Sequence, residues 1–185
     1  MKTRRIATAL ALAAAVTLGM SGCGFFVPQA TSEPYAPSDG IDQTVEGAEI
    51  RNLMLVADEA NENFNVVFTG VNTGETAIDL RITFVSKSGS AEASADFEIA
   101  PGSTLFGDPE GDVPPVYVSI PDLRAGATVT AFLQVAGGAE VERQVPVLDG
   151  TLVEYQDFMP SERAVTEVED LARETEEADQ ATSGS

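Results

Sequence analysis

Three carboxylates stand at alternate positions in one short segment of the chain, at Asp108, Glu110 and Asp112. Carboxylate oxygens gathered in a loop are the hard ligands that Ca²⁺ prefers. The segment matches only part of the Asp-x-Asp-x-Asp-Gly calcium loop, because the Glu that closes that loop has no counterpart here. In so acidic a chain, three nearby acids also occur by composition alone, without any role in binding a metal ion. We therefore predict a solvated loop and keep these three residues as candidate calcium ligands.

The residue types that the chain lacks restrict its chemistry further. The sequence has no histidine, so it can form neither a Ser-His-Asp nor a Cys-His unit, and no His-ligated zinc or copper site. A second acidic segment, residues 58–63, reads as a polar turn between strands. Acids are plentiful enough for a hydrolase that uses two carboxylates, but no pair stands out.

Charge is the most unusual property of the composition. The chain has 30 acidic and 10 basic residues, a net charge of −20. Such a surface repels phosphate backbones, so we expect no nucleic-acid partner. It also repels anionic lipid headgroups, so electrostatic attraction cannot hold the protein to a membrane.

The first 22 residues have the pattern of a signal peptide. Lys2, Arg4 and Arg5 form a positive start, and residues 6–20 are an apolar run of Ala, Leu, Val and Ile with few interruptions. This run is shorter than the roughly 20 residues that a helix needs to span a bilayer. It suits the apolar region of a signal peptide instead. Export by the Sec route is favoured over the twin-arginine route, and both stay open.

The sole cysteine lies directly after this segment. Met20-Ser21-Gly22-Cys23 resembles the bacterial lipobox, Leu-(Ala/Ser)-(Gly/Ala)-Cys, with Met20 as the departure from it. The resemblance implies that Cys23 becomes the N-terminus and carries a diacylglyceryl thioether with acyl chains such as palmitate. Two or three such chains, each contributing about 0.8 kcal/mol per buried CH₂, would hold the protein firmly to the membrane. Plain secretion with a free thiol is the alternative.

The rest of the chain divides into a linker, one domain and a tail. Residues 23–47, rich in Pro, Ser and Thr, are predicted to be a flexible linker. Residues 48–159 show the period-two alternation of strands, and residues 160–185 read as an acidic, mostly disordered tail. Eight strands are predicted, separated by Gly, Pro, Asn and Asp turns and with no helix among them. The predicted strands cover residues 50–57, 64–71, 78–84, 93–99, 116–120, 129–135, 141–147 and 152–155.

This pattern predicts an all-β, immunoglobulin-like antiparallel sandwich of seven to eight strands. Gly137-Gly138 and Asp149-Gly150 are predicted to be two-residue hairpin turns. The run Leu53-Met54-Leu55-Val56 predicts a strand that is buried on both faces.

Several short motifs together resemble small lipoproteins of actinobacteria. They are Cys23 with its linker, Asp39-Gly40-Ile41, Glu49-Ile-Arg51-Asn52-Leu53, the run from Gly126 to Thr130, and Val145-Pro146-Val147. Some of those lipoproteins are related to periplasmic copper chaperones with a cupredoxin-like sandwich that bind Cu(I) through two His and two Met. The resemblance implies the fold and the envelope location. The missing histidines argue against the copper site.

We therefore predict a non-enzymatic lipoprotein without a cofactor, anchored at the extracytoplasmic face of the cell membrane, that binds an envelope protein or a cell-wall component. The first alternative is a metal-handling lipoprotein, with calcium in the acidic loops or copper on Met54 and Met159. The second is the carboxylate-dependent envelope hydrolase. The predicted functional residue is Cys23, by lipidation.

Overall fold

Strands make up about half of the described residues. A computed structural model describes residues 38–89, 91–161 and 165–166, which form nine strands and one short helix. The strands are β1 (Ile41–Val45), β2 (Ala48–Ala57), β3 (Phe64–Asn72), β4 (Ile78–Val85), β5 (Glu92–Ile99), β6 (Gly102–Phe106), β7 (Tyr117–Val118), β8 (Thr128–Val135) and β9 (Val141–Leu148), and the helix is α1 (Val153–Gln156). The predicted all-β class is confirmed.

The strands form one curled sheet in the order β5-β4-β8-β9-β2-β3-β6, with β1 added to β2 and β7 to β3. Its pairings are antiparallel except for β2 and β9, which run parallel where Leu55 faces Val147 and Val56 faces Leu148. The predicted antiparallel pairing therefore holds for every strand pair except this one, which makes the sheet mixed. The parallel contact joins the β5-β4-β8-β9 half to the half that contains β2 and β3.

The core lies between these two halves of the sheet. Alternate residues of every long strand point into it, as the period-two pattern predicts. Phe68, Phe97 and Phe106 pack with ring centroids 4.6 to 5.3 Å apart where the two halves meet through β3, β5 and β6. The largest fully buried side chains are Phe64, Phe68, Phe84, Phe106, Ile50, Leu53, Met54, Leu55, Leu80, Ile82, Ile99 and Leu133.

Strand β2 is buried on both faces, as its apolar run predicts. Leu53 and Leu55 face the main core, whereas Met54 and Val56 form a second buried cluster with Val67 of β3. Residues 150–160, which we call the strap, cover this second cluster through Tyr155, Phe158 and Met159. Burying one such apolar side chain contributes about 2 kcal/mol, so the strap belongs to the folded unit.

Three elements differ from the sequence predictions. Residues 41–45, predicted as linker, form β1, so the domain starts earlier than residue 48. Residues 102–106, where no strand was predicted, form β6, an edge strand with only Phe106 fully buried. Residues 152–155, predicted as a strand, lie mostly in α1. Leu152 and Val153 are 49% and 75% exposed there, so these apolar side chains are not part of the core.

The hairpin turns also lie at positions that differ from those predicted. The β8–β9 turn centres on Ala136 and Gly137, with φ of 43° and 76°, one residue before the predicted Gly137-Gly138 pair. Glu46 and Gly47, with φ of 42° and 92°, form a turn of the same kind between β1 and β2. Positive φ at both central positions matches the right-handed twist of the flanking strands. The segment after Asp149 is instead an Asx turn, in which the Thr151 amide donates to Asp149 Oδ1 at 2.9 Å.

Several predicted regions lie outside the described residues. These are the signal peptide at 1–22, most of the linker at 23–47, and the tail at 160–185 apart from residues 160, 161, 165 and 166. Within the described part of the chain, no helix has the length and apolar character needed to cross a membrane.

Candidate functional site

The β5-β4-β8-β9 half of the sheet has a polar outer face. Along β4 and β5 the side chains alternate between buried apolar residues and exposed polar ones. We call this outer surface the polar face, and its members are Asp79, Arg81, Thr83, Ser94, Asp96, Glu98, Thr130, Phe132, Gln134 and Gln144. The sequence pattern predicted outward positions on β4 and β5. It did not predict that four strands would combine them into one surface.

The strand register arranges these residues in rows. Asp96, Arg81 and Gln134 lie opposite one another on β5, β4 and β8. In the next row, Ser94, Thr83 and Phe132 are likewise aligned. Since cross-strand neighbours have Cβ atoms about 5 Å apart, each row brings its side chains within reach of one ligand.

Hydrogen bonds hold these rows in place. The Arg81 guanidinium donates to both carboxylate oxygens of Asp96, at 2.7 and 2.9 Å. This bidentate bond lowers the pKa of the Asp96 carboxyl, against an opposing effect of burial, and raises the pKa of Arg81. Thr83 and Ser94 share a hydroxyl hydrogen bond of 3.0 Å. The polar face is therefore ordered although it is open to solvent.

Two shallow grooves cross the polar face. One, of about 520 Å³, runs beside Asp79, Glu98 and Gly137. The other, of about 460 Å³, lies over the half-buried ring of Phe132 and beside Glu92. Arg81 and Gln134 line both grooves, so the two depressions lie side by side on the polar face. An aromatic ring flanked by hydrogen-bonding groups is a composition that binding surfaces commonly use.

The candidate calcium ligands do not assemble into a site. Asp108 Oδ1 accepts a hydrogen bond from the Glu110 amide at 3.0 Å, and the Gly111 amide donates to the Asp108 carbonyl at 3.1 Å. Glu110 and Asp112 are exposed. Within the described part of the chain, no three His, Cys, Asp or Glu residues lie close enough together to hold a metal ion. The Asp108 carboxylate instead shapes its own turn.

The second acidic segment is a self-contained turn. The Asp58 carboxylate accepts the amide protons of Glu62 and Asn63, at 2.9 and 3.1 Å, and the side-chain amide of Asn63 at 3.0 Å. Asn61 Oδ1 accepts the Ala125 amide at 2.8 Å and so ties the turn to the loop before β8. These hydrogen bonds give the Asp58 carboxylate a structural role within its own turn.

The two methionines that follow Cys23 meet in the cluster under the strap. Met54 is buried and Met159 is partly buried against it. Asn65 lies beside them on β3 and donates through Nδ2 to the carbonyls of Gly107 and Phe158, at 2.7 and 2.9 Å. No described donor reaches the buried Asn65 Oδ1. The methionines act here as packing residues. Residues 38–89, 91–161 and 165–166 contain no other sulfur, and the sequence has no histidine.

Two of the motifs that carry the lipoprotein resemblance meet at the bulge in β2. Asn52 has φ of 56°, within the irregularity between Arg51 and Met54. Its Oδ1 accepts the Gly40 amide at 2.9 Å, and its own amide donates to Asp42 Oδ1 at 2.9 Å. Asp39 accepts the Tyr155 hydroxyl proton at 2.5 Å. These motif residues therefore have a structural role. Cys23, the predicted lipidation site, lies outside the described residues.

Comparison with known proteins identifies one related sequence and a set of distant structures. No protein-family model matches the chain. A protein of Leifsonia xyli subsp. xyli (strain CTCB07) named "putative lipoprotein" is 28% identical over 155 residues, which cover 80% of this chain and 93% of that protein. This similarity confirms the predicted resemblance to lipoproteins.

Among solved structures, the apo PCuAC domain from PmoF1 aligns with a TM-score of 0.41 and 15% identity over 58% of this chain and 98% of that chain. The apo PmoF2 PCuAC domain aligns with a TM-score of 0.42 and 17% identity over 60% and 98%. Because both TM-scores lie below 0.5, these domains add nothing to the case for a metal site.

Proposed function

We propose that this protein is a lipid-anchored, extracytoplasmic binding module whose acylated Cys23 holds it to the cell membrane and whose polar face binds an envelope component. The observation that carries the proposal is the polar face itself. It is an ordered, solvent-exposed surface of four strands, and no described residue covers Arg81, Ser94 or Asp96.

The anchor is supported by two independent observations. Ser21, Gly22 and Cys23 match the lipobox at the end of an apolar run of signal-peptide length. The relative named as a lipoprotein aligns with 80% of this chain. Two or three acyl chains are enough for stable attachment without any basic surface, which this acidic chain does not offer.

A binding role is favoured over hydrolysis by the setting of the carboxylates. A pair of catalytic carboxylates needs surroundings that separate their pKa values, usually a partly buried cleft. Asp79 and Glu98 face each other on the polar face, but both are exposed beside an open groove. Hydrogen-bonding rows around Phe132 are better suited to holding a ligand than to activating water.

The anchor is tested by the intact mass of the protein extracted from membranes. We expect a chain that starts at Cys23 with added acyl mass. Cys23→Ser should abolish the modification and leave the signal peptide attached, whereas the control Gly22→Ala, which the lipobox allows, should still be processed. An unmodified chain that starts at Met1 would refute the anchor.

The binding face is tested by site-specific photo-crosslinking in intact cells. A benzophenone amino acid at Ser94, on the polar face, should give discrete adducts with an envelope component. The same group at exposed Thr44 on β1 should not. Equal labelling from both positions, or none from Ser94, would contradict the proposal.

A further inference from the structure

The second buried cluster contains two thioether sulfurs with unequal access to solvent. Met54 of β2 is only 2% exposed, whereas Met159 of the strap is partly buried. Met159 also lines a groove of about 560 Å³ between the strap and the turn at residues 58–63. Because an oxidant must reach a sulfur in order to oxidise it, a small oxidant in solution reacts with Met159 in preference to Met54.

Gly150 packs directly against the Met159 sulfur. A Cβ atom at Gly150 would overlap Met159 Sδ and would lie 3.1 and 3.3 Å from Cγ and Cε of the same side chain. Since this position is closest to the sulfur and similarly distant from both of its carbons, the glycine covers one lone-pair side of the thioether. An atom bonded to the sulfur on that side would have no room in this packing.

The strap is held against the strands by a small set of contacts. Tyr155, Phe158 and Met159 supply its apolar contacts with the cluster. The Phe158 carbonyl accepts the Asn65 side-chain amide at 2.9 Å, and the Tyr155 hydroxyl donates to Asp39. Helix α1 is four residues long, has no side-chain cap and buries none of its residues. A segment with so little buried surface opens at a lower free-energy cost than the core strands, so it is sensitive to a change at Met159.

We propose that Met159 is an oxidation site and that its sulfoxide releases the strap from β2 and β3. In the modification, a lone pair of the sulfur attacks one oxygen of a hydroperoxide, so that an S–O bond forms and the O–O bond breaks. The hydroperoxide proton passes to the other oxygen, which leaves as water or as an alcohol. The sulfur is oxidised by two electrons and the hydroperoxide is reduced by two.

The sulfoxide is incompatible with the packing that holds the strap. Methionine sulfoxide is polar, and burying a polar group without a hydrogen-bond partner is unfavourable. The sulfur also has no room for the added oxygen on its Gly150 side. Release would leave Met54, Val56 and Val67 without their cover. The oxidation state of one side chain would therefore control an apolar surface on β2 and β3, on the half of the sheet away from the polar face.

The oxidation site is tested by treating the full chain, in a nonionic detergent, with hydrogen peroxide before tryptic digestion and mass spectrometry. Trypsin separates the two methionines, because Met54 falls in peptide 52–81 and Met159 in peptide 144–163. We expect the mass of one oxygen to appear in peptide 144–163 at least about ten times as fast as in peptide 52–81, and at similar rates in both after unfolding in urea. Similar rates in the folded chain, or no oxidation of peptide 144–163, would overturn the inference.

Release of the strap is measured by limited digestion with chymotrypsin, which cleaves after aromatic residues such as Tyr155 and Phe158. The oxidised chain should be cut in the strap about tenfold faster than the reduced chain, because cleavage follows the population of the open form. Gly150→Ala should also be cut faster, without peroxide, because its methyl group displaces the sulfur.

The matched control is Met159→Leu, which keeps a similar apolar volume and has no sulfur to oxidise. This variant should be cut at the rate of the reduced parent both before and after peroxide treatment. An oxidised parent that is cut no faster than the reduced chain would show that the sulfoxide does not release the strap. Equal acceleration of Met159→Leu by peroxide would likewise overturn the inference, because the effect would then arise at another residue.

Discussion

The side-chain amide of Asn65 on β3 donates a hydrogen bond of 2.9 Å to the carbonyl oxygen of Phe158 in the strap. The same nitrogen donates to the Gly107 carbonyl at 2.7 Å, so a single buried side chain joins the strap to the loop after β6. The strap in turn covers Met54 and Val56. The end of the domain is therefore held by a specific polar contact as well as by apolar packing.

Asn65→Ala should destabilise the fold by about 2–3 kcal/mol, because it removes the donor from the buried Gly107 carbonyl and from the partly buried Phe158 carbonyl. Urea denaturation of the full chain measures the loss. Gln43→Ala, at a strand position where the side chain bonds only its neighbouring carbonyl, should change stability by less than about 0.5 kcal/mol. A loss for Asn65→Ala no larger than this control would show that the strap does not depend on the amide.

Gly40→Ala should reduce the stability of the fold more than the same substitution at a glycine with open space around it. A Cβ at Gly40 would lie 2.5 Å from the backbone carbon of Asn52 and 2.6 Å from its Oδ1, so the β2 bulge would have to move. We expect a loss of about 2–3 kcal/mol from this overpacking. Gly126→Ala meets no atom within 4 Å but has φ of 82°, so it should lose about 1 kcal/mol from backbone strain alone. Thermal and urea unfolding of the two variants compare these costs, and equal losses would argue against a close contact at Gly40.

Stability at alkaline pH should depend on the Tyr155–Asp39 hydrogen bond. This bond, with smaller effects of burial and nearby acids, raises the pKa of Tyr155 to about 12. Because the folded pKa exceeds the unfolded value of about 10, the stabilisation is complete below pH 10 and is lost as the pH rises through about 12. Tyr155→Phe should cost less than about 1 kcal/mol at neutral pH, since the bond is exposed to water.

Urea midpoints recorded from pH 8 upwards test this dependence. The difference between the parent and Tyr155→Phe should shrink towards zero as the pH climbs through about 12. In an Asp39→Asn background, Tyr155→Phe should have a much smaller effect at every pH. A difference that stays constant with pH would show that the hydroxyl does not bond to the carboxylate in solution.

Millimolar Ca²⁺ should leave the thermal unfolding midpoint unchanged relative to EGTA. The Asp108 carboxylate already bonds the Glu110 amide, and the exposed Glu110 and Asp112 do not gather with it around a common point. Asp108→Ala should still lower stability by about 1 kcal/mol, because the Asx turn is lost. A calcium-dependent rise in the midpoint that Asp112→Asn abolishes would restore the calcium interpretation.

The sequence alone predicted most of the strands, because each long strand buries alternate residues and so has a period of two. Seven of the eight predicted strands match observed ones. The predictions were wrong where the apolar character of a segment does not match its burial in the structure. Strand β6 has little buried surface to mark it, and Leu152 and Val153 are apolar but exposed.

The lipobox at Cys23 is likewise a property of the sequence alone, because a processing enzyme reads a short linear segment. The polar face, to which we assign the proposed binding function, could not be recognised in this way. Asp79 and Glu98 are 19 positions apart in a chain with 30 acids, and nothing local distinguishes them. Only the β4–β5 register places the two carboxylates opposite each other.

Tertiary structure also decided the role of residues 150–160 and the single parallel contact between β2 and β9. Both depend on which distant segment covers a given apolar surface. The local alternation of apolar and polar residues indicates which residues are buried. It does not indicate which distant segment packs against them. That choice is made by the packing of the whole domain, where Asn65 meets Phe158 across 93 positions of the chain.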